Sequence, residues 1–150
     1  MAQKGHQRAA EFTAVLAMVS CFLGGAAYTA QSQSIVGTWE VMEAKRVSAP
    51  PQEMVGATLT FNADQSFTIE RPQRSSYSGT YRLDSKAGTI DLTFRGKNLL
   101  PPAEGDVWEG IYRFHADGRL EINTAQGHDA RPVDFLSGYD LTLMTLRRRN

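Results

Sequence analysis

The stretch Tyr77-Ser78-Gly79-Thr80-Tyr81-Arg82-Leu83-Asp84, then Ser85-Lys86-Ala87-Gly88, then Thr89-Ile90-Asp91-Leu92-Thr93-Phe94-Arg95, decides the fold. Two alternating runs flank a short loop that ends in glycine. A period of two is the signature of a strand, and no helical spacing competes with it here. With Ser85–Gly88 as the loop, Leu83 faces Ile90, Tyr81 faces Leu92 and Gly79 faces Phe94. The other face pairs Arg82 with Asp91 and Thr80 with Thr93, both favourable cross-strand partners. A slip of one residue would send the apolar set outward, so the pattern fixes the register.

The neighbouring runs repeat the argument. A three-residue loop at Ala63-Asp64-Gln65 matches Phe61 to Phe67 and Leu59 to Ile69. In the Asp117-Gly118 turn, a three-residue loop with Gly118 left-handed matches Phe114 to Leu120 and Tyr112 to Ile122, whereas a two-residue turn would set Phe114 against Glu121. Extended along the chain, the pattern predicts strands at Ile35–Arg46, Val55–Asn62, Ser66–Arg71, Tyr77–Asp84, Thr89–Arg95, Val107–His115, Arg119–Thr124 and Tyr139–Arg148. Breakers fill the gaps: Pro50-Pro51, Pro72, Pro101-Pro102 and Gly127 to Pro132 among them. The expected fold is all-β, a single eight-stranded antiparallel up-and-down barrel.

Ahead of the strands lies a different composition. Lys4 and Arg8 precede an apolar run from Phe12 to Leu23, and Gly24, Gly25, Ala26 and Ala27 follow. That order predicts a signal peptide over residues 1–30, cleaved after Ala27 or Ala30, with the barrel domain over 31–150. The expected location is periplasmic or secreted. The alternatives are an uncleaved membrane anchor over Phe12–Ala30 and lipidation at Cys21, for which Met18-Val19-Ser20 is a poor recognition sequence. Without the signal, 14 basic residues stand against 15 acidic ones, a near-neutral domain with no electrostatic footprint for nucleic acid. Cys21 is the only cysteine, so the exported chain has neither a disulfide nor thiol chemistry.

Val36-Gly37-Thr38-Trp39 resembles the Gly-x-Trp signature of the lipocalin and calycin superfamily. Gly79-Thr80-Tyr81-Arg82-Leu83-Asp84, Ile90-Asp91-Leu92-Thr93, Gly110-Ile111-Tyr112-Arg113 and Arg131-Pro132-Val133-Asp134-Phe135 resemble, in order, a family of uncharacterised lipocalin-like secreted bacterial domains best known from planctomycetes. The resemblance implies a small barrel with no established activity. It also implies barrel closure by Gly37 and Trp39, with the ring packed against an arginine of the last strand, Arg147 or Arg148.

Catalytic and metal chemistry find little support. His115 and His128 lie in a turn and a loop, with no spacing that brings two strong ligands onto one face. Asp91 reads as the outward partner of Arg82 rather than a general base. Ser75, Ser76 and Ser85 lie in loops without a nucleophile elbow, and Gly96-Lys97-Asn98 lacks the spacing of a phosphate loop. No cofactor, metal or nucleic-acid partner is expected, and neither is enzymatic activity. The interior face carries Phe61, Phe67, Tyr81, Phe94, Tyr112 and Phe114, so the lumen is either packed or encloses one small ligand. A cavity requires Ala57, Gly79 and Gly110 to leave space between the rings. The leading expectation is non-catalytic binding of a small apolar or amphipathic ligand by a monomer, with Leu59, Tyr81, Leu92, Tyr112 and Leu143 as lining. The competing expectation is a solid barrel whose loops, Arg95–Val107 and Thr124–Gly138, contact another protein of the cell envelope. A filled lumen with an apolar loop patch favours the second.

Overall fold

Every alternating run forms a strand. The computed structural model describes residues 33–48, 52–72, 74, 76–96, 102–127 and 129–150. The expected signal segment with Cys21 and both cleavage sites, together with Pro50-Pro51, Ser75, Lys97-Asn98, Pro101 and His128, lies outside the described residues. The strands are β1 (Gly37–Lys45), β2 (Thr58–Phe61), β3 (Ser66–Glu70), β4 (Tyr77–Asp84), β5 (Thr89–Arg95), β6 (Val107–Phe114), β7 (Leu120–Ala125) and β8 (Leu141–Arg148), with one 3₁₀ turn at Gln52–Met54. All neighbours pair antiparallel, and β1 pairs with β8, closing an eight-stranded barrel.

The hairpin registers are those the alternation dictates. Leu83 faces Ile90, Tyr81 faces Leu92 and Gly79 faces Phe94. Phe61 faces Phe67, and Phe114 faces Leu120. Both three-residue loops place their last residue in the left-handed region, Gly118 at φ 83° and Gln65 at φ 66°. Ser85–Gly88 is held by the Asp84 carboxylate, whose Oδ1 accepts from the backbone N–H of Lys86 at 2.9 Å and Ala87 at 3.1 Å. A bulge between Val41 and Glu43 shifts β1 against β8, adding the local twist that closure needs.

The two ends of the barrel differ. Tight turns at 62–65, 85–88 and 115–119 gather with residues 33–36 at one end, the closed end. The connections that follow β1, β3, β5 and β7 leave from the other, the open end. The last of these crosses the outer face of β5 to β7, so β7 is buried on both faces, with Asn123 and Ala125 as covered as Ile122. Such a strand carries apolar residues out of phase with simple alternation.

Inside, Leu59, Phe61, Phe67, Ile90, Leu92, Phe94, Leu120, Ile122, Met144 and Leu146 each retain 1% exposure or less. A void large enough for water would expose its lining. The middle of the barrel is therefore packed solid. Its rings touch in sequence: Phe61 meets Tyr81 at 5.1 Å, Phe67 meets Phe94 at 5.3 Å, and Phe94 meets Trp108 at 4.6 Å between centroids. The small residues leave no space. A Cβ at Gly79 would stand 2.8 Å from the Phe67 ring, and one at Gly110 would stand 2.9 Å from the Thr124 methyl.

Candidate functional site

At the closed end, Trp39 is 1% exposed and its indole N–H donates to the Ile35 carbonyl at 2.7 Å. Trp39 pairs with Arg148 across the closure, and that guanidinium lies 4.3 Å from the ring centroid. Arg148 also donates to the carbonyls of Val36, at 2.9 Å, and Ser34. Gly37 is required twice over. Its φ of 134° suits only glycine, and a Cβ there would collide with Arg148 Nη1. Arg147 points outward instead and pairs with Glu40 at 3.2 Å. Gly37, Trp39 and Arg148 thus form a structural plug in which the indole is sealed from solvent, and Arg147 takes no part in it.

The residues read as ligand lining are spread over different environments. Leu59 and Leu92 are interior and fully packed. Tyr81 is interior, but its hydroxyl already donates to the Asn62 carbonyl at 2.7 Å; burial, with Asp64 nearby, pushes its pKa above the ordinary tyrosine value. Tyr112 faces inward and stacks edge-on against Phe114, though near the closed end. Its backbone N–H meets the Gly88 carbonyl, and burial with nearby Asp84 raises its pKa too. Its hydroxyl is thus no polar handle at the open end. Leu143 is a correction. It pairs with Asn123 on the outer face, whereas Thr142, Met144 and Leu146 point inward. Four leucine and methionine side chains in β8, two in each phase, satisfy either phase on paper, and the covering 126–140 segment lets the outer set be buried as well.

Asp91 brings a second correction. Arg82 is its cross-strand neighbour, as the register requires, yet its ion pair is with Arg131 at 2.7 Å. Arg131 also donates to the Gly110 carbonyl at 2.7 Å and lies 3.8 Å from Glu109. It wins because one guanidinium there satisfies a carboxylate and a carbonyl together. The Asn123 amide donates to the carbonyls of Asp134 and Leu136, both at 2.9 Å, and Arg113 stacks on Phe135 at 4.0 Å. These contacts pin the segment after β7 across the barrel wall.

Among the described residues, that pinned segment carries the most exposed large apolar side chains: Val133 at 95%, Tyr139 at 71% and Leu136 at 67%. Val47, at the end of β1, joins them, since its N–H donates to the Gly138 carbonyl at 2.9 Å. Exposed apolar groups along one pinned segment are a recognised mark of contact surfaces. Beside it, a groove of about 480 Å³ is lined by Gly105, Asp106, Val107, Glu109, Gly127, Asp129 and Ala130.

A polar cluster occupies the interior at the open end. Thr142 and Thr124 are cross-strand partners on the inner face, one turn of the pleat beyond Met144 and Ile122. Thr142 Oγ1 accepts from Arg46 Nε at 2.9 Å and Nη2 at 2.6 Å. The Thr124 hydroxyl is fully buried without a partner. Sequence reading passed over all three, because threonines in a strand and a strand-end arginine have the look of solvent-facing residues. Elsewhere, His115 Nε2 lies 3.2 Å from Glu121, which also binds Arg113. Among the described residues no cluster of three His, Cys, Asp or Glu side chains has the geometry of a metal site. The chain matches no protein-family description and no curated protein.

Proposed function

We propose that this chain is an exported, non-catalytic barrel that works as a monomeric protein–protein interaction module of the cell envelope. The observation that carries the reading is the combination of a solid interior with an outer apolar rim of Val133, Leu136 and Tyr139 on the segment after β7 that lies over the barrel wall, with Val47 at its Gly138 end. A packed lumen stabilises the fold and leaves recognition to the outer surface. The family proposed for it is that of the lipocalin-like secreted bacterial domains, supported by the order of the motifs from Gly79 to Phe135. A small apolar or amphipathic ligand is the second reading, favoured by the unpartnered Thr124 hydroxyl. It is confined to the open end, because Leu59, Tyr81, Leu92 and Tyr112 would have to unpack to admit it.

The test places a photo-crosslinking residue at Leu136 or Tyr139, and as a control at Lys86 in a closed-end turn. The expected result in intact cells is one protein adduct from both rim positions and none from position 86. A Val133→Asp/Leu136→Asp double variant, folded by circular dichroism, should lose it. Identical adducts from all positions, or saturable apolar-dye binding with no rim adduct, overturns the interaction reading.

A further inference from the structure

The Arg46, Thr142 and Thr124 cluster has no structural explanation on the barrel's own terms. The Nε/Nη2 edge of a guanidinium is a fork that matches the two oxygens of a carboxylate. Here both donors converge on one neutral hydroxyl oxygen, Thr142 Oγ1. Among the described residues, no carboxylate lies within ion-pair distance of Arg46. The side chain is half-buried at the open end, where an unmatched cation loses part of its hydration. Directly across the β7–β8 ladder, the Thr124 hydroxyl is fully buried with no partner, a costly state for a polar group. Two independent vacancies therefore meet at one place, an unanswered cation and an unanswered hydroxyl.

We propose that the open end of the barrel is a subsite for a small organic monocarboxylate, held by Arg46 with Thr142 and Thr124 beneath it. The carboxylate takes the Nε/Nη2 edge and replaces the hydroxyl there. Released from Arg46, the Thr142 hydroxyl turns to its cross-strand neighbour and satisfies Thr124. The charge count selects a monoanion. Among the described residues, the other arginine on the inward phase at the open end, Arg71, is already engaged by the Tyr77 hydroxyl at 2.9 Å and by Glu53 at 3.6 Å, and Arg74 and Arg131 are paired with Glu53 and Asp91, which leaves Arg46 as the inward cation for the ligand. This subsite is separate from the apolar outer rim and stands whether or not the rim binds a protein.

The experiment is a nuclear magnetic resonance titration of the full folded domain with sodium butyrate. Butyramide serves as the neutral isostere and sodium chloride as the ionic-strength control. Butyrate should give saturable shifts at Arg46 Nε–H and at the Thr124 and Thr142 amides; butyramide and chloride should not. Arg46→Gln should weaken binding tenfold or more. Arg46→Lys, which keeps charge without the fork, should fall between, and it guards against loss of fold in the glutamine variant. Thr124→Val should leave the spectrum dispersed and weaken binding severalfold. Shifts equal for butyrate and chloride, or butyrate affinity unchanged in the folded Arg46 variants, overturns the proposal. Neither result bears on the crosslinking outcome at the rim.

Discussion

Gly37→Ala tests the closure of the barrel most directly. At φ 134° an alanine is strained, at a cost of about 1–3 kcal/mol. Its methyl also evicts Arg148, which forfeits the stacking on Trp39, about 0.5–1 kcal/mol for so exposed a cation. Two carbonyl hydrogen bonds go with it, at about 0.5 kcal/mol each near solvent. The expected loss is about 2.5–5 kcal/mol, a large part of the stability of a small domain. Arg148→Ala alone should cost about 1–2 kcal/mol. In the double variant the collision is gone, so the costs do not add: the pair should fall short of the sum by about 1–2 kcal/mol. Denaturant unfolding followed by indole fluorescence, analysed as a double-mutant cycle, measures this. Additive costs, or a Gly37→Ala loss below about 0.5 kcal/mol, would refute the account of why glycine stands there.

Two further outcomes follow from contacts elsewhere. Arg131→Ala should cost about 1–2 kcal/mol and speed amide exchange over 131–138, whereas Arg82→Ala should stay within about 0.5 kcal/mol; equal costs in denaturant unfolding would return Asp91 to its cross-strand neighbour. The folded chain holds the Tyr81 proton more tightly than the unfolded chain, so this stabilisation is complete below about pH 10 and is lost as pH rises through the raised folded value. Tyr81→Phe should make stability fall less steeply above that pH, while losing about 0.5–1.5 kcal/mol throughout for the bond to the Asn62 carbonyl; an unchanged slope in alkaline unfolding would count against it.

The ladder was legible because it is local. Tyr81 and Leu92, or Phe61 and Phe67, declare one another through a short loop and a shared face. Trp39 and Arg148 lie far apart in the chain, and only the family resemblance joined them. What stayed hidden depends on a segment without periodicity. Nothing in Arg131-Pro132-Val133-Asp134 indicates that it turns back over β7, so the sequence assigns no partner to Asn123 or to Arg131. The same covering segment removed the phase information from β8 and misplaced Leu143. The Arg46 cluster escaped for another reason: its meaning lies in which hydrogen bonds are missing, and a sequence carries no record of those.

The pairing of β1 with β8 also sets the order of events when the chain folds. Seven of the eight pairings join strands next to one another in sequence and can form as hairpins within microseconds. The eighth must bring Trp39 to Arg148, closing a loop of nearly the whole domain, and it contributes no enthalpy until that entropy has been lost. Until that last pairing forms, β1 and β8 remain open edges that invite pairing with other chains. Arg148, on the final strand, seals the indole only when the last edge disappears.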